Sequence, residues 1–408
     1  MMSKFTGFLG IIILLALALS LSKNKKAIKV EPIFWGLGLQ FLFGVLILKI
    51  PFIKSQFLLI DKIFNRLISF SDQGSNFLFQ SFIPGVGYHE AMINFAFRAL
   101  PVVIFFSSLI SVTYHFGIIQ FIVKWVAKVM EKSMKTSGAE TLSISANIFV
   151  GQTEAPIVIR PYINNMTKSE LMAVMTGGFA TVAGSVLALY VLWLEKIPGI
   201  AGHMLAASIM SAPAALVIAK IIYPETESTK NVSELNLDTE NKSNNVMEAL
   251  GKGATDGLKL AANIAAMLIA FLSILSMINY SLDYLFKINL QEILGFIFSP
   301  LAWTMGIPWN EANIVGRMMG EKIVLTELIA YGSLGDLINN NMISERSAII
   351  TSYALCGFAN FGSIGIQLGG IGSMAPKKRK ILSQIALKAM IGGALASWLT
   401  ATIAGILI

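Results

Sequence analysis

Two glutamates, Glu154 and Glu327, each sit near the middle of a moderately apolar segment whose other polar residues are Asn, Gln, Thr and Ser. A carboxylate at the centre of a bilayer costs about 2.5–3.5 kcal/mol on insertion scales, so such a residue normally faces a cavity. In "NIFVGQTEAPIVIRPY", Asn147 to Tyr162, the polar triplet Gln152, Thr153 and Glu154 lies between Gly151 and Pro156. Glycine permits a tight turn, and proline is tolerated in a first helical turn, where its missing donor is not needed. The stretch predicts a hairpin tip, with the triplet projecting from the N-terminus of a returning half-helix. Its mix of donors and acceptors suits a neutral, multiply hydrogen-bonding solute better than an anion, which would prefer Arg or Lys. Arg160, the nearest cation, reads as an anchor where the hairpin exits.

Around the second glutamate the chemistry differs. Ionised Glu327 only accepts, and Asn360 and Ser363, three residues apart, are expected on one face of a helix. A carboxylate with an Asn and a Ser suits vicinal hydroxyls, as on a sugar. Phe358 and Phe361 flank that pair, and an aromatic ring beside a polar site can stack on an aromatic base. A third set offers only oxygens: Asn147, the carbonyl of Val150, and Thr181 with Val182. Such a set can surround a small hard cation where broken helices expose carbonyls, although Asn and Thr also join helices by hydrogen bonds.

The elements that must hold these residues follow from composition. The chain has 408 residues, 55% hydrophobic and 13% charged, with mean hydropathy +0.70. Soluble domains carry about 25% charged residues, so this chain cannot cover itself with charge and lipid is its expected solvent. The fold class is an all-α polytopic membrane protein. One cysteine, Cys356, leaves no internal disulfide, and the scattered His89, His115 and His203 form no metal cluster. With no nucleophile motif either, an intramembrane hydrolase is disfavoured. The net charge of +8 lies at the ends of apolar runs, so it marks topology rather than nucleic acid.

About eight runs are long enough to cross a bilayer: Phe5–Ser22, Ile33–Ile50, Ala99–Met130, Leu171–Leu194, His203–Tyr223, Ala254–Tyr280, Ala348–Ile371 and Ile381–Ile408. Lys4 stands before the first run and Lys23, Lys25, Lys26 and Lys29 follow it, which favours an uncleaved helix with its N-terminus outside. Alternation then puts Lys128, Lys132 and Lys135, the hydrophilic linker 224–246, and Lys377 to Lys380 inside, with both termini outside. The segment "SQFLLIDKIFNRLISF" has helical apolar spacing with charges opposite, as an interfacial helix does.

Two segments fit re-entrant hairpins better than spans: Ser137–Asn165 and Asn313–Asn341. Each is followed by a similar sequel, "INNMTKSE" with "GGFATVAGS" and "INNNMISE" with "CGFANFGS". An odd number of crossings separates them, so the copies form an inverted repeat, the mark of secondary transporters with midplane sites. The expected organisation is two N-terminal transmembrane helices (1–50), then an interfacial and a scaffold helix (51–136). Repeat 1 (137–223) and the cytoplasmic linker (224–246) follow, then a scaffold helix with its outer connection (247–312) and repeat 2 (313–408).

The segments "FAFRALPVVIFFSSLISV", "GQTEAPIVIRPY", "MTGGFATVAGSVLALYV", "GATDGLKLAANIAAMLIAFLSIL", "GEKIVLTELIAY" and "YALCGFANFGSIGIQLGG" together resemble the concentrative nucleoside transporter family. The resemblance covers nearly all of the chain beyond Phe95. It implies a homotrimer in the bacterial cytoplasmic (inner) membrane, each subunit with eight spans and two hairpins, in which a transport domain moves against a scaffold. It also implies substrates such as uridine, cytidine or adenosine. By the same resemblance Gln152, Thr153 and Glu154 contact the base, Val186 and Phe358 pack on it, and Glu327, Asn360 and Ser363 bind ribose. Asn147, Val150, Thr181 and Val182 would hold Na+, the coupling ion. The family's second-hairpin pattern, Gly-x-Lys-x-x-x-Asn-Glu-Phe-Val-Ala, keeps Gly320, Lys322, Glu327 and Ala330 here, with Thr326, Leu328 and Ile329 substituted; Thr181 replaces a common serine. A proton-coupled symporter and a non-transporting gating or sensing protein are the alternatives.

Overall fold

The computed structural model describes residues 2–79, 95–227 and 243–408, and every regular element among them is helical. Most of the expected linker 224–246 therefore lies outside the described residues. The first helices are α1 (Met2–Ser20), α2 (Val30–Lys49), α3 (Pro51–Phe79), α4 (Leu100–His115) and α5 (Ile118–Met134). Repeat 1 contains α6 (Gly138–Asn147), α7 (Arg160–Ile163), α8 (Lys168–Ala180) and α9 (Gly184–Trp193), and α10 (Ile200–Ile222) follows it. Beyond the linker come α11 (Val246–Phe286), α12 (Leu290–Thr304), α13 (Trp309–Val324) and α14 (Glu327–Asn339). The chain closes with α15 (Glu345–Leu355), α16 (Phe361–Met374) and α17 (Arg379–Leu407).

Six stretches are long and apolar enough to cross a membrane: α2, α4, α8 with α9, α10, α11 and α17. Beside them lie the shorter apolar α1 and the interrupted pair α15 and α16, at the first and seventh apolar runs of the sequence pattern. They form two layers. Within the protein, an apolar 18-residue stretch of α8–α9 is 94% buried and those of α10 and α17 are each 89% buried, against 28% in α2, 22% in α4 and 17% in α11. A helix apolar all round and buried by neighbours is core, while an apolar helix with bare flanks is one that lipid must cover. The outer layer thus carries α2, α4 and α11, and the polar-residue-bearing helices lie inside it.

Three expectations need correction. The run Ala99–Met130 is not one span. Gly117 adopts φ +78°, a left-handed conformation that ends α4, and α5 starts afresh. On α5, Ile119, Val123, Ala127, Met130 and Met134 are buried while Phe121 and Trp125 are exposed, so it is amphipathic. A continuous apolar run concealed that change of phase. The outer connection within 247–312 contains a full helix, α12, started by a reciprocal cap between Asn289 and Glu292. It meets α13 at 118° and packs along it, with Gly316 admitting the α12 backbone. Finally, α11 is 41 residues long, roughly 60 Å at 1.5 Å per residue, about twice the hydrocarbon thickness.

The amphipathic segment expected near residues 55–70 extends into the 29-residue α3, which crosses the start of α10. Both carboxylate oxygens of Asp61 accept from that helix's first amides, those of Gly199 and Ala201 (2.8 Å for Ala201). An anion there satisfies amides that no earlier turn can.

The repeat is visible as two units of hairpin, N-capped helix, break and second half-helix. Ser137 and Glu140 cap hairpin 1 reciprocally, Thr167 and Glu170 do the same for α8, and Ser344 caps α15. The breaks meet. Gly357, at φ +102°, lies where a Cβ would come within 2.5 Å of the Phe179 carbonyl and 2.8 Å of that of Ala180. Positive φ and backbone crowding both demand glycine there.

Candidate functional site

The polar residues sit where these interruptions free the backbone from helix geometry. At the tip of hairpin 1, α6 ends at Asn147 and the chain returns as a short 3-10 segment, Ala155–Ile159, before the single turn α7. Gly151 opens the expected turn, its carbonyl accepting from the amides of Glu154 (3.1 Å) and Ala155 (3.0 Å), without a positive φ; the space its hydrogen leaves is occupied by the Glu154 carboxylate folded back over it. Gln152 is buried, Thr153 half-buried and Glu154 exposed to the cavity.

On the opposite side, Thr326 caps α14 by accepting from the Ile329 amide, which places Glu327 in the first turn. Glu327 is only 6% exposed. Its two oxygens accept from Asn360 Nδ2 (2.7 Å) and Tyr190 Oη (3.1 Å). Asn360 is not on a helix face with Ser363. It is the N-cap of α16, with φ −139° and ψ 164°, and its Oδ1 accepts from the Ser363 amide at 2.8 Å. One asparagine thus starts the half-helix with its oxygen and grips Glu327 with its nitrogen. Gln152 Nε2 donates to Ser363 Oγ at 3.2 Å, linking the two repeats across the site.

Gln152, Thr153, Glu154, Val186, Glu327, Phe358, Asn360 and Ser363 all line one cavity of about 500 Å3. Ser107, Ile110 and Ser111 of α4 and Leu260 and Ile264 of α11 form another part of its wall, and it reaches Ser243, Lys252 and Asp256 beside the linker. Phe361, expected to flank the site, is 53% exposed and does not line the cavity. The volume suits a small organic solute, and the lining combines apolar walls with a few convergent polar groups.

Asn147, Thr181 and Val182 lie behind the cavity, all buried, while Val150 reaches its wall. Asn147 Nδ2 donates to the Ser143 carbonyl at 3.2 Å, leaving Oδ1 buried without a partner. Thr181 ends α8 in extended conformation, its hydroxyl donating to the Gly177 carbonyl at 3.1 Å and keeping lone pairs free. The freed amide of Gly184 donates to the Phe149 carbonyl at 3.0 Å, tying the hairpin tip to the break. A buried, unpaired amide oxygen beside interrupted backbone fits a small hard cation.

Three residues outside the sequence-derived set belong to this architecture. Tyr190 lies one turn after Val186, and Gln367 one turn after Ser363, spacing that in each case could have pointed to them. Lys322 on α13 is fully buried, its ammonium donating to the carbonyls of Ala354 and Cys356 (both 2.9 Å) and to Ser397 Oγ (2.7 Å). A cation at the C-terminal end of half-helix α15 satisfies carbonyls that the break leaves open.

Residues 9–82 and 203–405 match the N- and C-terminal families described as Na+ dependent nucleoside transporter, and 96–196 match a family described as nucleoside recognition. A Bacillus subtilis protein described as an uncharacterized transporter is 41% identical, with 100% of each chain covered. Human sodium/nucleoside cotransporter 1 is 40% identical over 99% of this chain, which spans 64% of the length of that relative. The mouse and rat proteins of the same name are likewise matched over 64% of their length. Among solved structures, CNTnw in an inward-facing substrate-bound state superposes with TM-score 0.92 at 40% identity, covering 100% of both chains. A CNTnw variant in an outward-facing state gives 0.91 at 38% identity, covering 100% of this chain and 98% of the other. These relatives are transporters rather than enzymes. With a relative matched end to end and the same arrangement of hairpins and broken helices, the chain belongs to the concentrative nucleoside transporter family.

Proposed function

We propose that this protein imports nucleosides in symport with Na+, binding the base at hairpin 1 and the ribose at hairpin 2 and the second helix break. The carrying observation is that donors and acceptors from both repeats converge on one cavity, with Glu327 held by Asn360 and Tyr190. In this reading Gln152, Thr153 and Glu154 meet the base edge, Val186 and Phe358 its faces. Glu327, Asn360 and Ser363 take the ribose hydroxyls; a carboxylate accepting from a diol makes the stronger, charge-assisted kind of hydrogen bond.

Na+ would sit among Asn147, the Val150 carbonyl, Thr181 and Val182, and the unpaired Asn147 Oδ1 supports that placement. Bound there, it would join hairpin 1 to the break after α8, so that the base-binding triplet is ordered only when the ion is present. A single charge crossing 100 mV gains about 2.3 kcal/mol, enough to concentrate a neutral solute roughly fifty-fold. Alternating access follows if the hairpins and broken helices, which form one side of the cavity, move against α4 and α11, which form the other. On the topology with both termini outside, the cavity's Lys252 end faces the cytoplasm. A homotrimer in the bacterial inner membrane is part of the same reading.

Uptake of labelled uridine and adenosine into proteoliposomes tests it, with an inward Na+ gradient, an inward proton gradient without Na+, or neither. Accumulation driven by Na+ and lost in Glu327→Gln is expected. Accumulation driven by protons alone would retain a nucleoside symporter and remove the cation assignment, and a lack of uptake under every condition would favour a gating or sensing role.

A further inference from the structure

Gln367, on α16, is fully buried and does not line the cavity. Its Nε2 lies 3.1 Å from the Met175 carbonyl and 3.0 Å from Gln152 Oε1. A backbone carbonyl can only accept, so the Gln367 atom facing Met175 must be the amide nitrogen. The same nitrogen faces Gln152, whose near atom must therefore be its oxygen. Gln152 Nε2 is left on the other side, where it donates to Ser363 Oγ. Gly178 makes the arrangement possible, since a Cβ there would lie 2.6 Å from Gln367 Nε2 and 3.1 Å from Gln152 Cβ.

We propose that Gln367 is a positioning residue that fixes the hydrogen-bond polarity of Gln152, so that hairpin 1 presents an N–H donor, not a carbonyl, to the base. The polarity passes by orientation alone. The Met175 carbonyl orients Gln367, Gln367 orients Gln152, and Gln152 occupies a lone pair of Ser363 Oγ. The second N–H of Gln152 and the hydroxyl proton of Ser363 are then available to the cavity. A free glutamine side chain would offer its oxygen or its nitrogen with similar ease; this one offers only the donor. The ligand class selected is a nucleoside whose base carries a ring carbonyl where a disfavoured counterpart carries an amino group. This inference rests on the nucleoside reading and adds to it the residue that sets base preference.

Uptake by proteoliposomes, read as KM for uridine against cytidine and inosine against adenosine, tests it. In the unaltered protein the carbonyl member of at least one pair is expected to have the lower KM, by about fivefold, the worth of one hydrogen bond. In Gln367→Met the Gln152 amide can rotate, and the KM ratio falls towards one while the half-saturating Na+ concentration stays in place. Gly178→Ala, which displaces the Gln367 amide and leaves every polar group present, lowers the ratio in the same way and serves where the first variant folds poorly. In a Gln152→Ala background, Gln367→Met has no further effect on the ratio, an outcome that general loosening would not produce. An unchanged ratio in folded Gln367→Met, or equal KM values within both pairs in the unaltered protein, overturns the assignment. Transport of none of the four nucleosides by the unaltered protein overturns the nucleoside reading, and this inference with it.

Discussion

Asn360 donates to Glu327 across 2.7 Å, joining the break between α15 and α16 to the first turn of α14. The second oxygen of Glu327 accepts from Tyr190 on α9, so three elements from both repeats converge on one buried carboxylate. Glu327→Gln keeps the shape but turns one acceptor oxygen into a donor that faces another donor. Hydrogen bonds to charged groups are worth about 1.5–3 kcal/mol, so the nucleoside KM should rise roughly ten- to hundredfold. Initial-rate uptake in proteoliposomes measures this, and a KM within twofold of the unaltered protein would remove Glu327 from the binding site.

Asn147 Oδ1 has no protein partner despite full burial. If Na+ supplies that partner, the folded state gains stability from the ion by mass action, about 2.7 kcal/mol at a hundred times the dissociation constant. Thermal unfolding in detergent should therefore shift upward in NaCl relative to choline chloride. Asn147→Leu should unfold at one temperature in both salts; a persisting Na+ shift would place the ion elsewhere.

Lys220 on α10 pairs with Glu140 on α6 at 2.7 Å, with side-chain exposures of 9% and 1%. It also donates to Ser169 Oγ at 3.0 Å, so hairpin 1, α8 and α10 meet at one ammonium. Removing one member of a buried pair leaves an uncompensated charge and costs about 3–5 kcal/mol. Lys220→Met should lower the melting temperature clearly, and the double variant with Glu140→Gln should regain most of the loss. Additive losses in the double variant would show that the two side chains do not act as a pair.

Lys322 offers a chemical readout because one of the two carbonyls it holds belongs to the chain's single cysteine, Cys356, which is fully buried. Lys322→Met leaves two carbonyls and Ser397 without their donor in a dry interior. The break should then open more often, and N-ethylmaleimide should label Cys356 at least tenfold faster. Labelling at the unaltered rate would show that the remaining contacts of α15 hold the break without the ammonium.

The sequence alone determined the class of solvent, the apolar runs and the duplicated unit, because these depend on hydropathy and spacing within one segment. It also marked out Gln152, Glu154, Glu327, Asn360 and Ser363, since polar groups in a run this apolar must be satisfied by something. The left-handed turn at Gly117 was hidden because apolar residues continue through it and only their facing changes. The purpose of Gly151 depends on where the Glu154 side chain folds, and Asn360 is a cap only because the helix breaks just before it. Tyr190 and Gln367 escaped the sequence reading, and Lys322 entered it only as a kept position of the family pattern, because their partners are remote: Gln367 and Gln152 lie 215 positions apart, Tyr190 and Glu327 137. Residue type declares that a side chain can donate or accept. Which of the two it does at the site is decided by the partner behind it, and only tertiary packing brings that partner into reach.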